Sequence, residues 1–124
     1  MTAVLIVDDD RLISQTLQAI LSDAGYSVRV AENGQDALAA LRVSRPDLIL
    51  LDLQMPVMDG WEFIESYQAL VHNQTIPIVT LSVNPGMTRS YDRLGVRAHV
   101  LKPFDVDALL KVLRSVLSES SPPA

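Results

Sequence analysis

Residues 47–53 read Asp-Leu-Ile-Leu-Leu-Asp-Leu, an apolar run of strand length that meets a carboxylate near its end. Every position from Leu48 to Leu51 is apolar, whereas a strand with one face in water would alternate apolar and polar residues. Such continuity is typical of a strand buried on both faces in the centre of a parallel sheet. We therefore predict a central strand here, with Asp52 at its carboxyl end.

Short apolar runs and segments of helical periodicity alternate on both sides of this strand, which predicts strand–helix–strand units stacked around a parallel sheet. The predicted strands are 3–7, 26–30, 47–53, 76–81 and 99–101. The predicted helices run from Asp10 to a stop at Gly25, from Asn33–Gly34 to Arg45–Pro46, and over 61–71, 87–94 and 105–117. We therefore predict an α/β fold, a doubly wound five-stranded parallel sheet with five helices on both faces.

Length and composition fit one globular domain, since 48% of the 124 residues are hydrophobic and 20% are charged. The chain has no cysteine, which excludes a disulfide framework, a thiolate zinc site and a cysteine nucleophile. The segment Ser118–Ala124 contains Ser-Ser-Pro-Pro and is predicted not to continue the last helix. We assign residues 1–118 to the domain and residues 119–124 to a tail or the start of a linker.

The charge balance limits the kinds of molecule that this domain can bind. Ten basic and fifteen acidic residues give a formal net charge of −5, which argues against direct nucleic-acid binding by this domain. Residues 1–65 hold eleven acidic and four basic residues, whereas residues 66–124 hold four acidic and six basic ones. The first apolar stretch has only five residues, too few for a signal peptide or a membrane span, so we expect a cytoplasmic protein without membrane insertion.

Acidic, hydroxyl and basic side chains collect at the predicted strand ends. Asp8 and Asp9 follow the first strand, Asp52 closes the third, Ser82 follows the fourth and Lys102 follows the fifth. Doubly wound sheets place their sites at the carboxyl ends of the strands, so we expect these groups at one edge.

Three carboxylates in one crevice repel one another, and their chemistry calls for a hard divalent cation. Mg²⁺, or alternatively Mn²⁺, suits oxygen ligands, and the lack of histidine and cysteine among them disfavours zinc. Lys102 can pair with a carboxylate and bind a phosphoryl oxygen, and the Ser82 hydroxyl can donate to such an oxygen. We interpret the group as a phosphoryl-transfer site with Asp52 as the nucleophile.

Each of these residues also has a purely structural interpretation. Asp8, Asp9 and Asp10 precede a helix and could serve as N-caps, the role that we assign to Asp10. Lys102–Pro103 could be an ordinary turn. The convergence of four strand ends on one edge favours the functional interpretation.

Four motifs in this order carry a resemblance over roughly residues 3–117. They are Leu5-Ile6-Val7-Asp8-Asp9, Leu51-Asp52-Leu53-Gln54-Met55-Pro56-Val57-Met58-Asp59-Gly60, Pro77-Ile78-Val79-Thr80-Leu81-Ser82 and Lys102-Pro103-Phe104. With them the sequence closely resembles the receiver domain of bacterial two-component response regulators, the family that includes the chemotaxis regulator. The resemblance implies a flavodoxin-like sheet with strand order 2-1-3-4-5.

The resemblance implies that Asp52 accepts a phosphoryl group from a phosphohistidine of a histidine kinase or a histidine phosphotransfer protein. Such a domain catalyses its own phosphorylation and dephosphorylation and is not a turnover enzyme. By the same likeness Asp9, Asp52 and the main-chain carbonyl of Gln54 would bind Mg²⁺ directly, and Asp8 would act through water.

The resemblance further implies that Ser82 is a switch hydroxyl that follows the phosphoryl group and that Lys102 is the ion-pair partner of that group. It assigns loop geometry, rather than chemistry, to Pro56, Gly60 and Pro103.

The sequence departs from the family around the switch. His99 stands three residues before the lysine, where the family usually has Tyr or Phe, and it could keep an in-or-out role or be a partly exposed strand histidine without one. Only 20 positions separate Ser82 from Lys102, and Asn84-Pro85-Gly86 lies between them, so we expect a truncated loop or fourth helix.

The family's usual output surface consists of the fourth helix, the fifth strand and the fifth helix. Basic residues flank it in this sequence: Arg89, Arg93, Arg97, Lys111 and Arg114. We expect an acidic patch on the downstream protein partner, which could be separate or a covalently linked effector domain.

Two other functions compete with this interpretation. A phosphorylation-independent docking module would keep the fold but lose the chemistry, and the retained Asp8, Asp9, Asp52 and Lys102 argue against it. A Mg²⁺-dependent phosphohydrolase generally needs an acid two positions after the nucleophile, where this sequence has Gln54.

Overall fold

The structure is a computed structural model that describes residues 2–53, 76–82, 96–102 and 104–120. Its elements are β1 (Ala3–Val7), α1 (Arg11–Asp23), β2 (Ser27–Ala31), α2 (Gly34–Val43), β3 (Leu48–Asp52), β4 (Ile78–Ser82), β5 (Val96–Leu101) and α3 (Val106–Ser120). All five predicted strands are present, and α3 corresponds to the predicted fifth helix. The predicted helices over 61–71 and 87–94 lie outside the described residues.

The five strands form one parallel sheet in the order β2-β1-β3-β4-β5. β3 lies in the middle and is buried at all five positions, as its unbroken apolar run predicts. The chain order reverses direction across the sheet between β1 and β3, which is the switch point beside which doubly wound folds build their sites. The predicted fold class is confirmed.

Apolar side chains form a separate core on each face of the sheet. One core is covered by α2, whose Ala37 is buried against it with Leu38 and Leu41 packed alongside. The other is covered by α1 and α3, which contribute buried leucines. None of the helices in the described part of the chain is long and apolar enough to cross a membrane.

The ends of α1 follow from the sequence around them. The Asp10 carboxylate accepts hydrogen bonds from the main-chain N–H groups of Leu12 (3.0 Å) and Ile13 (3.2 Å), so Asp10 is the N-cap as predicted. At the other end Gly25 has a φ of +100°, a left-handed conformation that a residue with a Cβ rarely adopts. The predicted stop at Gly25 is thereby confirmed.

β5 differs from its prediction, because it begins at Val96 rather than at His99. Ile78 lies opposite Val96 and Val79 lies opposite Ala98, so Arg97 has no counterpart in β4. Such an extra residue is a bulge, and it shifts every later residue of β5 by one position relative to β4.

The C-terminal boundary of the last helix was predicted wrongly. α3 runs to Ser120, although Ser118–Ala124 was expected not to continue it. Serine and glutamate are tolerated in a helix, and the constraint comes from Pro122, which disfavours the helical conformation of the residue before it.

Removing the N-cap of α1 should weaken the fold measurably. Asp10→Ala is expected to lower the free energy of unfolding by about 1 kcal/mol, because two N–H groups lose their acceptor. Asp10→Asn keeps an acceptor oxygen and should retain nearly full stability. Denaturant unfolding of the two variants checks this, and equal stability of Asp10→Ala and Asp10→Asn would contradict the capping role.

Candidate functional site

The carboxyl edge of the sheet brings together groups that are far apart in the sequence. Asp8 follows β1, Asp52 ends β3 and Lys102 follows β5. One carboxylate oxygen from each of Asp8, Asp9 and Asp52 lies within 4.8 Å of the other two. Asp8 and Asp52 are buried, whereas Asp9 is exposed. The predicted acidic cluster therefore exists and opens to solvent on the Asp9 side.

Asp8 is held in place by one hydrogen bond of its main chain and one of its side chain. Its main-chain N–H donates to the carbonyl of Ala31 at the end of β2 (3.1 Å). Its Oδ1 accepts a hydrogen bond from the N–H of Asp10 (2.9 Å), the residue that caps α1. This arrangement leaves the other oxygen, Oδ2, directed at the site.

The Lys102 ammonium lies between the two buried carboxylates. Its Nζ is 3.6 Å from Asp8 Oδ2 and 3.5 Å from Asp52 Oδ1. These distances give ion pairs but are longer than normal charged hydrogen bonds. Asp8 Oδ2 is accordingly buried without a hydrogen-bond partner among the described residues. Buried polar atoms normally have a partner, so this oxygen has an unused capacity to accept a further ligand.

The donor set fits a hard divalent cation. Three carboxylates and one ammonium leave two negative charges in excess, and a low-dielectric edge does not screen such an excess well. Oxygen ligands of this kind suit Mg²⁺, and the unpartnered Asp8 Oδ2 faces the same crevice. The cluster could therefore hold a metal ion.

Ser82 ends β4 at the same edge and is buried. Its carbonyl accepts a hydrogen bond from the N–H of Lys102 (2.8 Å), which extends the β4–β5 ladder by one residue. The main chain of Lys102 is thereby fixed to β4, and this explains how a long flexible side chain reaches the carboxylates from a defined starting point.

His99 lies opposite Thr80 in the β4–β5 register, and the Thr80 hydroxyl Oγ1 is 2.5 Å from His99 Nδ1. Thr80 is fully buried, whereas His99 is half-buried. The hydroxyl lies one pleat before Ser82 on the same face of β4. Sequence reasoning missed Thr80, although a polar residue inside a strand with five buried positions signals a buried partner.

Some predicted site residues lie outside the described part of the chain. They are Gln54, Pro56, Gly60 and Pro103. Arg89 and Arg93, predicted to flank the output surface, also lie there, as does the short segment between Ser82 and β5.

A family model described as the response regulator receiver domain matches residues 4–114. The response regulator MprA of Mycobacterium sp. (strain KMS) is 34% identical over 121 residues, which are 96% of this chain and 52% of MprA. MprA of Mycobacterium avium (strain 104) is 33% identical over the same shares of the two chains. The chain therefore spans about half the length of the curated relatives that it matches.

Solved structures agree with this match along the whole length of the fold. The chemotaxis protein CheY4 of Vibrio cholerae superposes with a TM-score of 0.87 and is 36% identical, covering 94% of this chain and 98% of CheY4. The signal receiver domain of a histidine kinase from Syntrophus aciditrophicus superposes with a TM-score of 0.88 at 28% identity, covering 100% of this chain and 96% of that one. Sheet order, acidic edge and family match together show that the chain belongs to the response regulator receiver domain family of two-component signalling.

Proposed function

We propose that this chain is a phosphoacceptor in which Asp52 receives a phosphoryl group from a phosphohistidine of a histidine kinase or a histidine phosphotransfer protein. The observation that carries the proposal is the placement of the Lys102 ammonium 3.5 Å from Asp52 Oδ1 and 3.6 Å from Asp8 Oδ2. A lysine shared by two buried carboxylates can leave one of them for an incoming anion without leaving the site.

The transfer is a displacement at phosphorus. A carboxylate oxygen of Asp52 forms the new P–O bond while the P–N bond of the phosphohistidine breaks, and the freed imidazole nitrogen keeps the electron pair. Lys102 then neutralises a phosphoryl oxygen, and the Ser82 hydroxyl donates to another. Hydrolysis of the resulting acyl phosphate returns Asp52 to its carboxylate, so the domain acts on itself and does not turn over external substrates.

Mg²⁺, or Mn²⁺ in its place, is the cation that we propose for the site, with Asp8, Asp9 and Asp52 as the side chains that hold it. The cation would neutralise the charge on the phosphoryl oxygens during transfer. The main-chain carbonyl of Gln54 belongs to the same proposal through the family resemblance. Asp9 is the exposed member of the cluster, so it lies where a hydrated cation can enter.

The output surface that we propose includes β5 and α3. An open depression of about 280 Å³ lies between these elements, and it is lined by Arg97, Ala98, Lys111, Val112, Ser115 and Val116. The bulge in β5 leaves Arg97 unmatched in β4, and Arg97 and Lys111 both line the depression. Two basic residues in a depression that Ala98, Val112 and Val116 also line suit an acidic protein partner, either separate or covalently linked.

The proposal also includes the sequence predictions about the domain bounds, the cellular location and the role of His99. Residues 1–118 make up the receiver domain and residues 119–124 a tail or the start of a linker to an effector domain, with α3 continuing two residues into that segment. The protein acts in the cytoplasm, where its phosphohistidine donor is made. His99 keeps the in-or-out role in the switch.

Phosphorylation of Asp52 can be tested with a small donor. Incubation with Mg²⁺ and acetyl phosphate should add one phosphoryl group to the wild-type chain, and Asp52→Asn should remain unlabelled because an amide cannot attack phosphorus. Asp23→Asn, an exposed change at the end of α1, should label like wild type. Intact-protein mass spectrometry reads the result, and an unlabelled wild type would refute the proposal.

Mg²⁺ should stabilise the folded chain through the acidic cluster. At a free concentration 100-fold above its dissociation constant, a cation that binds only the folded state adds about 2.7 kcal/mol to the free energy of unfolding. Asp9→Asn should lose most of this gain, whereas Asp10→Asn should keep it because Asp10 caps α1 outside the cluster. Thermal unfolding with and without Mg²⁺ checks the difference, and equal gains in both variants would place the cation elsewhere.

Phosphorylation of Asp52 should change the conformation of the proposed output surface. Backbone amide signals of β5 and of the α3 residues lining the depression should shift when the wild-type chain is phosphorylated, while those of β2 and α2 should stay in place. Two-dimensional ¹H–¹⁵N spectra with and without acetyl phosphate measure this, with Asp52→Asn as the control. Shifts confined to the immediate surroundings of Asp52 would contradict switching of this surface.

A further inference from the structure

The Thr80–His99 pair takes no part in the phosphoryl chemistry described above. β4 is buried at every position, and Thr80 and Ser82 are its two polar residues. Ser82 lies at the carboxyl edge of the sheet, whereas Thr80 lies one pleat inside the sheet with none of its surface exposed. A hydroxyl in such a place must be hydrogen-bonded or it destabilises the fold.

The bulge in β5 gives Thr80 its partner. Arg97 is an extra residue in β5 with no counterpart in β4. Val79 therefore lies opposite Ala98, and His99 lies opposite Thr80. In the unbroken register begun by Ile78 and Val96, Thr80 would lie opposite Ala98, which has no polar side-chain atom. The pairing therefore depends on a specific backbone feature of β5.

The hydrogen bond also fixes the protonation pattern of the imidazole. Among the described residues, His99 Nδ1 is the side-chain partner that the structure gives the Thr80 hydroxyl. The hydroxyl proton needs an acceptor, because Thr80 is shielded from water. Nδ1 can accept that proton only when the ring carries its own hydrogen on Nε2. The contact is therefore satisfied by the neutral Nε2–H tautomer.

We propose that Thr80 is a positioning residue whose hydroxyl donates to His99 Nδ1, and that it holds the imidazole in the conformation seen here and in the Nε2–H tautomer. Any movement of His99 away from β4 leaves the Thr80 hydroxyl buried without an acceptor, so the bond biases the His99 equilibrium toward this state. The consequence for signalling rests on the proposed function, in which His99 is part of the switch. Thr80 then sets how readily the switch leaves its resting position.

The isosteric change Thr80→Val removes the hydroxyl and keeps the shape of the side chain. It should raise the population of His99 outside the present conformation about fivefold, the effect of losing one typical hydrogen bond. Thr80→Ser keeps the hydroxyl and should behave like wild type. Both substitutions leave Asp52, Ser82 and Lys102 untouched.

Nitrogen-15 spectra of the histidine side chains read the tautomer and the conformational averaging directly, with His99→Gln identifying the His99 signals. In the unphosphorylated wild type, Nδ1 should be unprotonated and Nε2 protonated, with one set of signals. Thr80→Val should show a tautomer mixture and averaged signals, and Thr80→Ser should restore the wild-type pattern. Wild-type spectra with a protonated Nδ1 would overturn the proposal even if Thr80→Val failed to fold, and so would a Thr80→Val spectrum identical to wild type.

Acetyl phosphate labelling of the same variants separates this inference from the function on which it rests. Thr80→Val should still take up one phosphoryl group on Asp52, because Thr80 lies one pleat inside the sheet and is not one of the groups proposed to bind the phosphoryl group. An unlabelled wild type would refute the phosphoacceptor function and leave the tautomer result standing. Normal labelling with an unchanged His99 spectrum in Thr80→Val would refute the positioning role alone.

Discussion

The site is organised around one ammonium group between two buried carboxylates. Lys102 Nζ lies at nearly the same distance from Asp8 Oδ2 and Asp52 Oδ1. Without a cation, carboxylates this close would repel one another at a poorly solvated edge of the sheet. Lys102 offsets part of this repulsion and leaves an excess of negative charge. A divalent cation can neutralise that excess.

The rest of the fold positions these three groups. The parallel sheet brings the ends of β1, β3 and β5 to one edge, although β4 lies between β3 and β5. The main-chain hydrogen bond from Lys102 to Ser82 extends the β4–β5 ladder to the edge that carries the acidic cluster, so a displacement of Ser82 would also move the main chain of Lys102. One pleat further inside, the Thr80–His99 bond ties the same two strands together. Polar contacts thus join β4 and β5 at the site and behind it.

The sequence was sufficient for the fold and for the membership of the acidic cluster. A buried strand that ends in Asp52 and a lysine after an apolar strand are local patterns, and parallel strands necessarily align their carboxyl ends. The family match then confirmed the receiver domain. The strands and helices follow from periodicity, which a sequence displays directly, whereas the strand order followed from the family resemblance.

Other features depend on register and could not be read locally. The bulge at Arg97 arises where two strands pair, so no pattern within β5 alone predicts it. Because the bulge decides which residue faces Thr80, the Thr80–His99 contact was equally hidden. The helix end at Ser120 was misjudged because the proline effect was extended over residues that still accept helical geometry.

Chemical trapping of the phosphorylated residue tests the central claim most directly. Borohydride reduces an aspartyl phosphate to the corresponding alcohol, so the modified aspartate becomes homoserine and can be located by peptide mass spectrometry. After treatment with acetyl phosphate and Mg²⁺, homoserine should appear at position 52, with Asp8 and Asp9 unchanged. Homoserine at position 8 or 9 instead, or none at position 52 in a chain that had taken up phosphate, would contradict the account.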